Sequence, residues 1–312
     1  MKEIVKIDLM NPKLMRFTLT LTTYCPYSCR YCPDSLHNGT NQDINLDSLK
    51  TFFNKFANRE RILIITGGEC TMHPQFKDVV ALAKTLDIKV LVDTNSVRTV
   101  RFYEEVASLV DVWNVTLHPS QHQLDLEKIA ILTNVSFVVV YVMMDPDFWN
   151  IAVDWFEQLK QIQNIKIIPL RVISDWGGAS CIVDYTREEL DFLSSNPFYH
   201  TFTEEREKEI RQSHSWLEST DAIATYSTGE TATLDPYELL KQGTNKFTGW
   251  KCSAGNETLM INANSSVTWA NCGIKVYKHL DDVNPAELTI PIICTNRSCD
   301  CGTDIRSSKV MK

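Results

Sequence analysis

Short β-branched runs alternate with longer amphipathic segments from residue 16 to residue 195. Short apolar runs of this kind favour buried strands, and amphipathic segments of helical length favour helices. Six of the short runs predict strands, at residues 16–24, 61–67, 88–94, 112–118, 135–143 and 165–173. This alternation is typical of consecutive βα units around a parallel sheet.

The segments between these runs carry signals for helix starts. Asn45 and Asp47 open one helical segment, Pro74 lies in the predicted first turn of another, and Asp145 with Pro146 opens a third. In a parallel sheet, the loops at the carboxyl ends of the strands form the functional face. We therefore expect the catalytic and ligand-binding residues in the loops that follow the six strands.

The pattern changes near residue 196. A charged helical stretch at 203–217 is followed by a segment rich in Thr, Ser and Gly. From Trp250 onward, two alternating runs around Asn264 and Ser265 predict a hairpin with a cysteine near each end. These changes predict three segments: a core at 1–196, a helical and loop linker at 197–249, and a cysteine-rich domain at 250–312.

Composition and charge narrow the class of protein. With 312 residues and 44% hydrophobic content, the chain can bury a full core. A formal net charge of −8 argues against binding a nucleic-acid polymer, because that affinity depends on Lys and Arg neutralising phosphates. We find neither a secretion signal nor an apolar run of membrane-spanning length, so we expect a cytoplasmic protein.

The ten cysteines of the chain would be held as thiols in the cytosol, which favours metal or cluster binding over disulfides. Cys25, Cys29 and Cys32 lie together directly after the first predicted strand. Three thiolates on one loop can hold three irons of a cubane cluster and leave the fourth iron open to a small chelating molecule. A zinc site is the alternative, with His37 as a fourth ligand.

The CPYSCRYC segment at 25–32 resembles the C-x₃-C-x-aromatic-C signature of the radical S-adenosylmethionine (SAM) superfamily. The GGE sequence at 67–69 resembles a second motif of that family, and the resemblance extends from residue 16 to about residue 175. Glycines also let the backbone approach a ligand, and a carboxylate can accept hydrogen bonds from an ammonium group. The resemblance implies these SAM-binding residues: Tyr31 near adenine; Gly67, Gly68 and Glu69 at the amino group; Asn95 and Ser96 near ribose; and His118, Ser120 and Arg171 at ribose or carboxylate.

For the less specific of these positions, structural roles stay open. Asn95 and Ser96 can instead shape a loop or cap a helix, and Arg171 can be an ordinary ion-pair residue. The activity that the resemblance implies is reductive cleavage of SAM at a [4Fe–4S] cluster. The resulting 5′-deoxyadenosyl radical abstracts a hydrogen atom from the substrate, and the electron donor would be a flavodoxin or ferredoxin.

Two cysteines stand alone. Cys70 follows the GGE motif where many members of the family have proline, and a small apolar filler is favoured there over a metal ligand. Cys181 follows the sixth strand and is a candidate catalytic thiol, as a radical quencher or acid, with a plain loop cysteine as the alternative.

Five cysteines lie in the last predicted segment: Cys252, Cys272, Cys294, Cys299 and Cys301. Four thiolates suffice for a second [4Fe–4S] cluster. The hairpin with cysteines near both ends resembles the twitch or SPASM-like extension of radical SAM enzymes, which implies an auxiliary cluster held by Cys252, Cys272 and two of the last three. A structural zinc site is the alternative.

The expected fold is therefore α/β, a partial (βα)₆ barrel followed by a small cysteine-rich C-terminal α+β domain. We expect a peptide substrate of the RiPP type (a ribosomally synthesised and post-translationally modified peptide), although no added peptide-recognition domain is evident before residue 16. A small sugar or nucleotide oxidoreductase or isomerase is the second hypothesis. A noncatalytic iron–sulfur carrier or redox sensor is the third.

Overall fold

Two β-sheets organise the described part of the chain. The computed structural model of the protein describes residues 3–37, 39, 41–172 and 183–312. In chain order the strands are β1 (Ile4–Leu9), β2 (Leu14–Thr22), β3 (Glu60–Gly67), β4 (Lys89–Thr94), β5 (Val112–Leu117), β6 (Phe137–Met143), β7 (Ile165–Leu170), β8 (Tyr199–His200), β9 (Ala222–Tyr226), β10 (Thr231–Thr233), β11 (Lys251–Cys252), β12 (Thr258–Ile261), β13 (Val267–Trp269), β14 (Val276–Tyr277), β15 (Ile292–Ile293) and β16 (Lys309–Val310).

Helices connect most of these strands. In chain order the α-helices are α1 (Leu46–Asn54), α2 (Phe76–Thr85), α3 (Val100–Val106), α4 (Leu126–Thr133), α5 (Trp149–Leu159), α6 (Arg187–Ser195), α7 (Glu204–Ser213), α8 (Pro236–Gln242), α9 (Ala254–Glu257), α10 (Pro285–Leu288) and α11 (Gly302–Ile305). Short 3₁₀ turns lie at Asp34–Leu36, Cys70–Met72, Ala107–Leu109, Pro146–Phe148, Ser215–Thr220 and Leu280–Asp282.

The larger sheet has the strand order β14-β13-β12-β2-β3-β4-β5-β6-β7-β8. Strands β12 and β2 to β7 run parallel to one another, whereas β13, β14 and β8 pair antiparallel. Strands β2 to β7 are the six predicted from sequence, which confirms them and the α/β class. Within the described residues, β14 and β8 are the two edges of this sheet, so the sheet is open.

The predicted C-terminal hairpin is confirmed as β12 and β13. Leu259 lies opposite Trp269, and Ser265 in the connecting turn has a left-handed φ of 63°. The hairpin also extends the larger sheet, because β12 pairs in parallel with β2 and Leu259 lies opposite Phe17. The larger sheet therefore continues into residues that the sequence assigns to a separate C-terminal domain.

The smaller sheet is antiparallel, with the order β10-β9-β1-β16-β11-β15. Its central strand β1 places Ile7 between Ala224 of β9 and Lys309 of β16. Strands from all three predicted segments thus share this sheet. The boundaries at 196 and 249 stay a prediction.

Side-chain caps fix several helix starts at the positions that the sequence indicates. Asn45 accepts a hydrogen bond from the backbone N–H of Ser48 at the start of α1, and Asp145 caps the turn that leads into α5. Pro74 differs from the prediction, because α2 begins at Phe76. Proline has a fixed φ and no N–H to donate, so it fits the turn that precedes the helix.

An aromatic cluster anchors α1 on the larger sheet. The ring centre of Phe17 on β2 lies 5.5 Å from that of Phe52, 5.1 Å from that of Phe53 and 5.3 Å from that of Phe56. All four side chains are buried. No helix in the described part of the chain is both long and apolar enough to cross a membrane.

Replacing Phe17 with alanine removes the centre of this cluster. We expect Phe17→Ala to lower the free energy of unfolding by about 3–5 kcal/mol, because the cavity left between β2 and α1 cannot collapse fully. Urea unfolding followed by circular dichroism measures the change. Ile290→Ala, at a side chain that is 67% exposed, should stay within about 0.5 kcal/mol, and an equal loss in both variants would contradict this assignment of the core.

Candidate functional site

The cysteine triplet lies in the loop after β2, at the carboxyl edge of the larger sheet. Cys29 is buried, whereas Cys25 and Cys32 are half-buried. The N–H of Cys32 donates to the carbonyl of Cys29 at 3.0 Å, which closes a tight turn. The sulfur of Cys25 accepts hydrogen bonds from the N–H of Tyr27 at 3.4 Å and from the Asn95 amide at 3.5 Å.

The GGE motif lies against the chain that enters this loop. The N–H of Gly68 donates to the Thr22 carbonyl at 2.9 Å, and that of Glu69 donates to the Tyr24 carbonyl at 2.7 Å. A Cβ on Gly67 would lie 2.2 Å from the Thr22 carbonyl oxygen, and one on Gly68 would lie 2.2 Å from that of Tyr24. Both glycines are therefore required by the close approach of two backbone segments.

The carboxylate of Glu69 is buried, with 1% exposure, and accepts four hydrogen bonds. The N–H and hydroxyl of Thr71 donate at 3.1 and 2.5 Å, the Thr94 hydroxyl at 2.8 Å and the Asn95 N–H at 2.6 Å. Burial raises the pKa of Glu69, and these donors oppose the rise. Glu69 therefore connects the end of β3 to the end of β4.

Asn95 and Ser96 continue this connection. The side-chain amide of Asn95 donates to the sulfur of Cys25, and its side-chain oxygen accepts from the N–H of Val97 at 3.0 Å. Ser96 has a left-handed φ of 57°, and its carbonyl accepts from the Lys128 ammonium at 3.3 Å. The loop after β4 is thus bonded directly to the triplet through Asn95.

His118 directly follows β5 and lies beside Cys29 of the triplet. Its Nδ1 is 2.8 Å from the Tyr31 hydroxyl and 3.5 Å from the Cys29 sulfur, and its ring stacks on that of Tyr31. Burial lowers the pKa of His118 to about 3, so the imidazole is neutral near pH 7. Ser120 lies two residues further on and accepts a hydrogen bond from the Gln121 amide at 3.2 Å.

An ion pair holds the cysteine loop on the loop after β6. Arg30, between the second and third cysteines, donates to the buried Asp145 carboxylate, with Nε at 3.1 Å from Oδ2, and also pairs with Asp147 at 2.5 Å. Sequence analysis assigned Asp145 only to a helix start and gave Arg30 and Asp147 no role. The only signal available was the position of Arg30 inside the motif.

The remaining candidates occupy other surroundings. The Arg171 N–H donates to the Tyr237 hydroxyl at 3.1 Å, and its guanidinium lies 5.1 Å from the centre of the Tyr185 ring. Nδ1 of His37 is 2.7 Å from the Tyr27 carbonyl.

Cys70 is fully buried in the main core, with its sulfur 3.1 Å from the Asp93 carbonyl oxygen, as expected of a small filler. Cys181 lies outside the described residues.

A cavity of about 650 Å³ opens beside the cysteine loop. Tyr27, Ser96, His122 and Lys128 contribute to its lining, and the His122 ring stacks on that of Tyr27 with 5.3 Å between ring centres. The cavity therefore lies between the cysteine loop and the loops that follow β4 and β5.

The C-terminal cysteines gather around a second, narrower cavity. Cys252, Cys272, Cys294 and Cys299 all contribute to its lining, together with Asp304 and Lys309. Cys301 does not contribute to this lining. Burial raises the pKa values of Cys252, Cys272, Cys299 and Cys301, so metal binding there must displace protons.

Among the described residues, no group of three or more His, Cys, Asp and Glu side chains is arranged around a point that would suit one metal ion. Such an arrangement applies to a single zinc ion, whose sulfur ligands each lie about 2.3 Å from the ion. A cubane cluster instead binds each thiolate through a different iron.

Residues 19–135 match the family model described as the Radical SAM superfamily. The matched segment runs from β2 to just beyond α4, and it contains the cysteine triplet, the GGE motif, Asn95, Ser96, His118 and Ser120. Arg171 and the C-terminal cysteines lie beyond it. No curated protein matches the chain in sequence.

Solved structures extend the likeness in fold beyond the matched segment. SuiB of Streptococcus suis bound to S-adenosylmethionine is 12% identical, with a TM-score of 0.55, over 88% of this chain and 65% of that chain. SuiB bound to precursor peptide SuiA is 11% identical, with a TM-score of 0.51, over 82% and 59% of the two chains. Histidine-tagged anSMEcpe with bound AdoMet is 13% identical, with a TM-score of 0.51, over 88% and 79%.

These identities are low, so the likeness concerns the fold. This chain also covers 65% or less of the SuiB chains.

The hydrogen bonds of the Glu69 carboxylate can be tested by replacing one of its oxygens with an amide nitrogen. In Glu69→Gln, the amide nitrogen cannot accept hydrogen bonds, so at least one buried donor loses its partner. We expect a loss of about 1–3 kcal/mol in the free energy of unfolding of the metal-free protein, measured in urea under reducing conditions. The control Glu104→Gln changes an exposed carboxylate and should be nearly neutral. An equal effect of both variants would argue against the Glu69 network.

Proposed function

We propose that this protein is a radical SAM enzyme. The observation that carries the proposal is the arrangement at the carboxyl edge of the sheet, where the cysteine triplet, the buried Glu69 and Asn95 form one hydrogen-bonded unit. The match of residues 19–135 to the Radical SAM superfamily supports it independently.

The residues of the triplet fit a [4Fe–4S] cluster. Three cysteines on a loop closed by the Cys29–Cys32 turn provide three thiolates, and the N–H of Tyr27 and the amide of Asn95 already point at the sulfur of Cys25. Hydrogen bonds to cluster sulfurs stabilise their negative charge. Cys25, Cys29 and Cys32 would hold the cluster and leave one iron for SAM.

A reduced cluster held by Cys25, Cys29 and Cys32 would supply the one electron needed for cleavage of SAM to methionine and a 5′-deoxyadenosyl radical. The protein's part is to bind and orient SAM and to exclude water. Gly67, Gly68 and Glu69 would receive the amino group through their backbone carbonyls, since the glycines bring this backbone close to the triplet and the Glu69 carboxylate already accepts four hydrogen bonds. Tyr31 with His118 would face the adenine side, and Asn95, Ser96, Ser120 and Arg171 complete the proposed SAM residues.

Production of 5′-deoxyadenosine tests the class of reaction. We expect the anaerobically reconstituted, dithionite-reduced protein to release 5′-deoxyadenosine from SAM, and Cys29→Ala to abolish release. Cys70→Ala is the matched control, because Cys70 is a core thiol that faces the Asp93 carbonyl, and it should retain release. Liquid chromatography with mass spectrometry measures the product. Equal release from Cys29→Ala and the native protein would refute the proposal.

We further propose an auxiliary [4Fe–4S] cluster at the C-terminal cavity, held by Cys252, Cys272, Cys294 and Cys299. Four thiols that line one cavity supply a complete ligand set. Cys301 is then a spare thiol outside the set. Because the cavity is narrow, we expect cluster binding to spread the four thiols apart. A complete set of cysteine ligands favours a role in taking an electron from a substrate radical.

Metal analysis of the full-length chain tests this assignment. We expect about eight irons per reconstituted chain, and about four in a Cys25→Ala/Cys29→Ala/Cys32→Ala variant. Adding Cys272→Ala and Cys294→Ala to that variant should abolish the rest, whereas adding Cys301→Ala should not. One zinc per chain in place of the second set of irons would instead establish a structural zinc site.

A peptide is the proposed substrate, with RiPP-type modification as the reaction class. The fold-level likeness to SuiB, which has been solved with precursor peptide SuiA, supports this choice. A flavodoxin or ferredoxin is the proposed electron donor.

A further inference from the structure

Two buried charged side chains line the C-terminal cysteine cavity. Lys309 and Asp304 are each 4% exposed, and both contribute to the lining beside Cys252, Cys272, Cys294 and Cys299. The ammonium of Lys309 donates to the backbone carbonyl of Asp304 at 2.9 Å and lies 4.4 Å from the centre of the Phe247 ring. Lys309 has no carboxylate at hydrogen-bond distance among the described residues. Burial of such an ammonium costs free energy because it loses its hydration. Its position in the lining of the cavity therefore indicates a functional role.

The smaller sheet fixes the position of Lys309 relative to the cysteines. Lys309 on β16 is the ladder partner of Cys252 on β11. Burial raises the pKa of both Cys252 and Cys299, and the positive charge of Lys309 opposes the rise at each of them. The same charge therefore acts on two of the proposed ligands.

Asp304 acts on the same cavity with the opposite sign. Its carboxylate accepts a hydrogen bond from the N–H of Asn271 at 2.8 Å, next to Cys272. Two other buried charged groups lie close by on packed elements. Arg16 of β2 donates to the Ser307 hydroxyl at 3.0 Å, and Glu257 of α9 accepts from the Ser308 N–H at 2.7 Å. Neither contributes to the lining of the cavity.

We propose that Lys309 and Asp304 set the reduction potential of the auxiliary cluster, with Lys309 raising it and Asp304 lowering it. This inference rests on the proposed second cluster. One-electron reduction adds one negative charge to the cluster, and that charge is stabilised by a buried cation and destabilised by a buried carboxylate. Because both groups are shielded from water, their effect on the potential is screened little by salt.

An anaerobic redox titration of the full-length reconstituted protein, followed by electron paramagnetic resonance, tests the inference at pH 8. The signal that changes on addition of SAM belongs to the triplet, and the other belongs to the C-terminal site. We expect Lys309→Met to shift the potential of the second signal to a more negative value. Asp304→Asn should shift it to a more positive value, and Lys309→Arg should leave it close to that of the native protein.

Lys251→Met is the matched control. Lys251 precedes Cys252 directly but is exposed, so water and salt screen its charge and the potential should not move. Iron content is measured on every variant, which separates loss of the cluster from a change in its potential.

The outcomes distinguish this inference from the function on which it rests. Opposite shifts in Lys309→Met and Asp304→Asn support the inference, since general damage to the site would not reverse its sign. Unchanged potentials, or shifts of the same sign, in proteins that keep their iron overturn this inference alone. Absence of iron from the C-terminal site in the native protein overturns both the auxiliary cluster and the inference.

Discussion

The buried carboxylate of Glu69 is the constraint on which the arrangement of the candidate site depends. Its four donors come from the loop after β3 and from the end of β4 with the loop that follows it, and Asn95, one of these donors, also donates to Cys25. A desolvated carboxylate with several donors has few alternative geometries, because each lost donor leaves an unpaired polar group. Three strand ends are therefore held in one relative position before any ligand binds.

The glycines of the same motif show how backbone and side chain cooperate. Gly67 and Gly68 lie so close to the Thr22 and Tyr24 carbonyls that no side chain fits, and this contact places Glu69 beneath the cysteine loop. From the other side, Arg30 pairs with Asp145 and holds the loop on the end of β6. The loop is thus attached to several strands although it contains little regular structure of its own.

Much of the larger sheet could be predicted from sequence, because β2 to β7 are short apolar, β-branched runs and the segments between them have helical length. The triplet and the GGE motif were also visible, since their residues are neighbours in sequence. The smaller sheet was not predicted. Its strands β11, β15 and β16 have two residues each, too few for a periodic pattern, and their partners lie far away in the chain.

The same limitation applies to individual residues of the site. Thr94 received no role from sequence, yet it donates to Glu69, and Asp145 looks like a helix cap, yet it also binds Arg30. Lys309 lies in a short polar stretch near the end of the described chain, and only the pairing of β16 with β11 brings it to the cysteines. Such roles depend on long-range contacts that local pattern does not contain.

The pairing of β1 with both β9 and β16 has a consequence for biosynthesis. A ribosome makes residues 4–9 long before their two neighbours in the sheet, residues 222–226 and 309–310. Contacts of such separation form slowly, and unpaired strands expose edges while they wait. The cavity beside Cys252 can close only after Lys309 has been translated, so Cys252 and Cys272 stay unshielded in the nascent protein for at least 37 further residues of synthesis.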